Sequence, residues 1–316
     1  MSTAPIFMKP VFQERIWGGT QLKERFNYEI PGETVGECWA ISAHPNGTSL
    51  VASGEYEGRR LCELWEHHRT LFGGIEGTSF PLLTKILDAN QDLSVQVHPD
   101  DEKARLLENG EFGKTECWYI IDCGEDAEII YGHTAQSKEQ LLDMIENHYW
   151  SDLLKRVKIK PGDFFFVPSG TIHALCKGAL VLETQQSCDI TYRVYDYDRT
   201  DPTGAKRELH LEKALEVTSV PHQDGACEPI TIQTGDVTIT TFVQDTYFTV
   251  HKWEISGEAS FSQGHPFMQA SVIKGSGSMR HNGTEYPLEL GAHFILPAEM
   301  GSFTIVGEME LIVSHV

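Results

Sequence analysis

The stretch KPGDFFFVPSGTIH, residues 160–173, decides how this chain is read. Gly162 and Asp163 supply a turn, the apolar run Phe164–Val167 follows as a strand, and Pro168 ends it. A second turn through Gly170 then delivers His173 near the start of the next strand. Residues 289–302, ELGAHFILPAEMGS, repeat the pattern, with Gly291 and Pro297 spaced as Gly162 and Pro168 are. The fifth residue after the proline is His173 in the first copy and Ser302 in the second. Two copies of one strand-turn-strand unit predict two similar β-barrels, one with a histidine at the site position and one without.

Working outward, strand patterns dominate. Short β-branched and aromatic runs at 117–122, 127–132, 179–184, 237–243, 248–255, 270–275 and 293–297 are separated by Gly, Pro, Asp and Asn. That pattern suits a jelly roll or sandwich better than a βαβ sheet. Helical spacing is clearest at 60–71, 99–108, 137–156 and 207–217; Ser137 and Gln140 read as a capping box. The expected fold is therefore mainly β, two jelly-roll barrels with a few inserted helices. The turn-rich segment 221–229, PHQDGACEP, reads as a linker. It divides a first domain, 1–222, which carries the site, from a second, 223–316, which lacks the metal ligands.

The formal charge of −21 opposes nucleic acid and anionic membrane surfaces as partners, while leaving room for a small anion in a locally basic pocket. The seven cysteines are odd in number and form no C-x-x-C pair, which reads as reduced thiols. The opening MSTAPIFMKP has neither the basic region nor the apolar core of a secretory signal, and no apolar run nears the length of a membrane span. These features make a cytoplasmic protein the expectation.

Three segments carry metal-binding chemistry. In SVQVHPDDE, Gln96 and His98 are two residues apart on a strand and so face the same way. In GKTECWYIID, Lys114 and Glu116 share that relation, and His173 supplies the third segment. Two imidazoles and a carboxylate are the ligand set of zinc or another divalent ion with an open position, and Gln96 adds a neutral oxygen. Singly, each has a plainer reading: HPDD is a helix entry, Glu116 a charge at a strand end, and one histidine among 14 a surface or core residue.

The spacing Gly162–Pro168–Gly170–His173 resembles the second conserved motif of the cupins. The earlier segment departs from the usual H-x-H by offering Q-x-H, and its glutamate follows 18 residues later, a gap assigned to the 99–108 helix. This departure resembles the type I mannose-6-phosphate isomerases. IWGG (16–19), GECWAISAHP (36–45) and FPLLTKILDANQDLSVQVHPD (80–100) resemble further segments of that family. Glu183 and Arg193, ten residues apart in LETQQSCDITYR, keep the family's spacing, and Arg199 falls where many members have lysine. The chain resembles the family's short form, and it carries G-K-T-E where many members have Y-x-D-x-N-x-K-P-E.

The resemblance implies one zinc per chain held by Gln96, His98, Glu116 and His173, with Arg193 as catalytic arginine. It also implies interconversion of mannose 6-phosphate and fructose 6-phosphate through a cis-enediol. Glu183 is the candidate proton shuttle, or else a surface acid at a strand end. Lys114 is a catalytic candidate that meets a phosphate or hydroxyl, or pairs with an acid. Ser94, facing as Gln96 does, and Arg199 are candidate substrate-binding residues. Tyr192, Tyr195 and Tyr197 line the sugar or belong to the core. Two other classes share some features. An iron(II) oxygenase uses the same two-histidine, one-carboxylate triad, although the basic residues suit an anionic sugar better. A non-enzymatic sugar-binding cupin would keep the barrel without the full ligand set.

Overall fold

A computed structural model describes residues 4–200 and 204–316. Its frame is mainly β, as the sequence predicts, with three antiparallel sheets of nine, six and five strands. The six-stranded sheet runs in the order Phe164–Val167, Glu116–Cys123, Ala179–Gln186, Leu82–Ala89, Val35–Ile41, Val11–Gly19. The five-stranded sheet runs Tyr192–Tyr195, Val95–Val97, His173–Leu175, Glu128–His133, Leu154–Lys158. These two share a core in which Leu87, Trp118 and Ile120 of one meet Ile129, Tyr131 and Leu175 of the other.

On its other face the six-stranded sheet meets the nine-stranded one, with Ile86, Leu182 and Tyr119 against Val250, Phe267 and Ile312. The five-stranded sheet is covered by the helices Lys138–Glu146 and Leu211–Val217 through Leu141, Ile145 and Ala214. The nine-stranded sheet is built chiefly from residues 230–315. Two N-terminal strands also join it: Ile6–Lys9 pairs with His293–Pro297 and with Leu50–Val51.

The repeat has a structural counterpart. Strands Phe164–Val167 and His293–Pro297 each precede a turn, and the following strands begin at His173 and at Ser302. Both repeat glycines need the left-handed region, Gly162 at φ +93° and Gly291 at φ +81°.

The helices depart from expectation at their ends. The 60–71 pattern forms Leu61–His67 and then a 3₁₀ turn, Arg69–Phe72. The 99–108 pattern narrows to Asp101–Leu107, capped by Asp100, whose side chain accepts from the Lys103 amide. The 137–156 pattern forms Lys138–Glu146, breaks with His148 at φ +58°, resumes as the short helix Trp150–Leu153, and from Leu154 becomes the edge strand Leu154–Lys158. Pairing with Glu128–His133 outweighs the local helical preference there. The 207–217 pattern starts only at Leu211, because Arg207 is drawn away to Asp196. Among the described residues no helix is long and apolar enough to cross a membrane.

Candidate metal centre

Cross-strand register assembles the site from two facing rows. In the five-stranded sheet His173 pairs with Gln96, and Gln96 with Arg193, so all three project from the same face. Ser94 and His98 flank Gln96 two residues away on either side, and Val95–Val97 is the strand that holds them. In the six-stranded sheet the row is Trp118, Glu183, Lys85 and Trp39. Glu116, two residues before Trp118, points the same way.

His98, Glu116 and His173 converge, their ligand atoms all lying within 4.8 Å of one another. Glu116 Oε2 is 3.6 Å from His98 Nε2, and Glu116 Oε1 is 3.3 Å from His173 Nε2. Each imidazole is aimed by its far nitrogen: His98 Nδ1 donates to the Ile190 carbonyl and His173 Nδ1 to the Thr171 carbonyl, both at 2.8 Å. The Nε2 lone pairs therefore face Glu116. Burial, above all, depresses both imidazoles, His98 well below the usual range and His173 to about 4, so the neutral form is the resting one. Gln96 completes the group, its Nε2 3.4 Å from His173 Nε2. Rotating that amide by a half-turn would present oxygen instead.

The donor set fits a divalent ion. Both Glu116 oxygens are buried without an aligned hydrogen-bond donor; Lys114 Nζ approaches Oε2 at 2.7 Å as an ionic contact. A fully buried carboxylate that meets one ammonium on Oε2, has no donor on Oε1 and faces two imidazole lone pairs suits a further cation. Lys114 supplies one positive charge, 3.1 Å from His98 Nε2 and 4.0 Å from Glu183. Burial opposes its charge, but Glu116 and Glu183 outweigh burial and hold the ammonium charged well above its usual pKa.

Above this floor opens a cleft of about 360 Å³, lined by Ser94, Gln96, Lys114, Glu183 and Arg193. Trp118 Nε1 donates to Glu183 Oε2 at 3.0 Å, while Oε1 has no hydrogen bond. Burial, then the charge of Glu116, raises the Glu183 pKa against the pull of Lys114 and Lys85. Arg193 donates from Nε to Ser94 Oγ at 3.2 Å and from Nη1 to the Glu208 carbonyl at 2.8 Å, and forms no ion pair among the described residues. Burial and the nearby Arg207 disfavour its charge. Arg199 stands apart from the cleft floor. It is tied to Asp196 and to the Asp92 carbonyl, and lines an adjoining groove of about 720 Å³. Arg15 borders both spaces. Tyr192 is buried and donates to Glu108, while Tyr195 and Tyr197 pack with the helix-side core, so none lines the cleft.

Sequence reading alone passed over five charged residues of the cleft, Arg15, Glu37, Lys85, Asp189 and Arg207. Lys85 lies 3.5 Å from Glu183 and 3.7 Å from Glu37, above the Trp39 ring. Arg15 pairs with Glu37 at 2.8 Å, and Arg207 shares Asp196 with Arg199. The available signal was a charge inside a wholly buried strand: Lys85 in LLTKILDA and Glu37 in VGECWAI.

Comparison with known proteins agrees with this geometry. Residues 6–124 match the family model described as phosphomannose isomerase type I, catalytic domain, and residues 238–316 match mannose-6-phosphate isomerase, cupin domain. The mannose-6-phosphate isomerase ManA of Bacillus subtilis (strain 168) is 58% identical over 315 residues, spanning 100% of both chains. That of Streptococcus mutans serotype c is 50% identical over 311 residues, 98% of each. The crystal structure of the mannose 6-phosphate isomerase from Bacillus subtilis superposes with a TM-score of 0.98 at 60% identity, covering 99% of this chain and 100% of that one.

Proposed function

Because the chain belongs to the type I mannose-6-phosphate isomerase family, we propose that it interconverts mannose 6-phosphate and fructose 6-phosphate, moving a proton between C1 and C2 through a cis-enediol. The observation that carries this reading is the convergence of the buried Glu116 carboxylate with the His98 and His173 imidazoles beneath a cleft that also holds Arg193, a guanidinium with no ion pair among the described residues. We take the resident ion to be zinc, one per chain, held by His98, Glu116, His173 and the turned amide of Gln96; nitrogen-rich donors with one carboxylate suit it. When bound, such an ion supplies Lewis acidity toward the sugar's C1 and C2 oxygens.

The chain's own groups account for the rest. Glu183 is the proton carrier. Trp118 holds Oε2, while Oε1 has Lys85 3.5 Å and Lys114 4.0 Å away but no hydrogen bond, and the raised pKa brings the carboxyl nearer neutrality, where accepting and returning a proton are both easy. Lys114 keeps a positive charge beside Glu183 and Glu116 and steadies negative charge developing on the substrate. Arg193 is permanently cationic, so it binds rather than abstracts. With Ser94 fixing its Nε side and Arg207 also lining the cleft, it suits the substrate's anionic end. Arg199 extends positive charge into the adjoining groove.

We further read the packed six- and five-stranded sheets as one cupin barrel and the nine-stranded sheet as a second. Residues 1–222 then carry the catalytic unit and 223–316 the second lobe, to which strands Ile6–Lys9 and Leu50–Val51 are lent. All seven cysteines are free, which supports a reducing, cytoplasmic setting.

The test is turnover of mannose 6-phosphate to fructose 6-phosphate by purified protein before chelation, after it, and after zinc is restored. Activity that disappears and returns supports the assignment. Folded, zinc-loaded protein without turnover overturns it.

A further inference from the structure

Lys114 stands on the chain just before strand Glu116–Cys123 begins, so the strand itself stops short of it. Its ammonium nonetheless sits 2.7 Å from Glu116, 3.1 Å from His98 and 4.0 Å from Glu183, at the end of a long, flexible side chain. Such a side chain reaches one point reproducibly only when its backbone origin is held. Three consecutive amides hold that origin: Gly113 N donates to Asp101 Oδ1 at 2.8 Å, Lys114 N to the Pro99 carbonyl at 2.9 Å, and Thr115 N to Gln186 Oε1 at 2.9 Å. The outer two are joined, because Gln186 Nε2 donates to the same Asp101 oxygen at 3.1 Å. Gly113 lies so close that a Cβ there would fall 2.5 Å from the Asp101 nitrogen, and this approach brings its amide within reach of the carboxylate.

We propose that Asp101 is a positioning residue of the isomerase, which sets the point from which Lys114 reaches Glu116 and Glu183. Asp101 opens the helix Asp101–Leu107 just after the metal-site segment of His98, and Gln186 ends the strand Ala179–Gln186 that carries Glu183. One carboxylate oxygen thus ties the segments bearing His98 and Glu183 to the loop bearing Lys114. Helix capping does not account for it, since Asp100 already accepts from the Lys103 amide. Asp101 does not border the catalytic cleft; it lines a separate cavity of about 200 Å³, so any effect on turnover runs through other residues. In the isomerase reading above, on which this rests, Lys114 steadies charge developing on the substrate. Without the shared oxygen the Gly113 and Gln186 donors lose their acceptor, and the 113–115 backbone is free to shift. A displaced Lys114 ammonium weakens stabilisation of the transition state more than binding of the substrate. Asparagine at position 101 keeps an acceptor oxygen for both donors, and alanine keeps none.

The test measures kcat and KM for mannose 6-phosphate on zinc-saturated, full-length protein, together with amide hydrogen exchange at residues 113–115. Asp101→Ala, at a half-buried helix start where folding is not at stake, should lower kcat about 10- to 100-fold while moving KM less than about threefold. It should also speed exchange at 113–115, and Asp101→Asn should restore both kcat and slow exchange. Lys114→Met lowers kcat by itself; in that background Asp101→Ala should cost nothing further, because its effect runs through Lys114. An equal further loss there overturns the proposal, as does wild-type kcat in Asp101→Ala or an Asp101→Asn as slow as the alanine variant. Wild type without turnover overturns the isomerase reading instead. In that case exchange decides the role of Asp101 alone: faster exchange in Asp101→Ala supports it, and unchanged exchange overturns it.

Discussion

Replacing Lys85 with methionine removes the buried cation between two carboxylates while keeping most of the volume. Its ammonium lies 3.5 Å from Glu183 and 3.7 Å from Glu37, and its side chain is 5% exposed. Breaking a buried pair from one side costs about 3–5 kcal/mol, because the partner charge stays buried. Here Arg15 remains on Glu37 at 2.8 Å and Trp118 still donates to Glu183, so the low end, about 3 kcal/mol, applies. Urea unfolding of the zinc-loaded protein at pH 7 measures it, followed by intrinsic tryptophan fluorescence. Adding Glu37→Gln to Lys85→Met removes one stranded charge. The double variant should therefore lose about 1–3 kcal/mol less than the sum of the single losses. A single-variant loss below about 1 kcal/mol, or strict additivity, would refute the claim that these charges act as one buried network.

Other outcomes follow from the same structure. Burial alone would raise the Glu37 pKa, but Lys85, Arg15 and the Trp39 N–H outweigh it and bring it to about 2 from the usual 4.5. The stabilisation this confers is complete above pH 4.5 and is lost as pH falls from there toward 2. About 1 kcal/mol should therefore disappear between pH 5 and pH 3.5 in wild type, and that contribution should be missing from Glu37→Gln, as read by denaturant unfolding at both pH values. Gly170 sits at φ +83°, where a Cβ would fall 2.5 Å from Ser219 Oγ, and its amide donates to the His98 carbonyl. Gly170→Ala should cost about 2 kcal/mol or more and loosen zinc retention, measured by unfolding and metal analysis. Glu183→Gln keeps the shape of the cleft and removes the proton carrier, so kcat should fall about 10²–10⁴-fold with zinc content unchanged. Near-normal kcat would assign the proton to another group.

What the sequence made legible was local. The turn glycines, the terminal prolines and the residues that open the following strands, His173 and Ser302, could be read from one repeat. The Q-x-H pair was legible because alternation alone aligns residues two apart. Ser137 does cap its helix, accepting from the Gln140 amide, although Gln140 reaches back to the Gln136 amide rather than to Ser137. Lys85 and Glu37 were missed because their roles come from cross-strand register. Glu183 meets Lys85 and Trp118 only once three strands distant in sequence are aligned. Arg207 looked like a helix start, since its attraction to Asp196 is a tertiary contact with no local signature.

If the isomerase reaction runs on an ion held by His98, Glu116 and His173, then His173→Ala removes ion and turnover together. Zinc content after desalting and kcat for mannose 6-phosphate should be measured together on wild type and on folded variant. One tightly held zinc in wild type, none in His173→Ala, and a kcat reduced at least a thousandfold are expected. A variant that turns over substrate normally without that zinc would contradict the account.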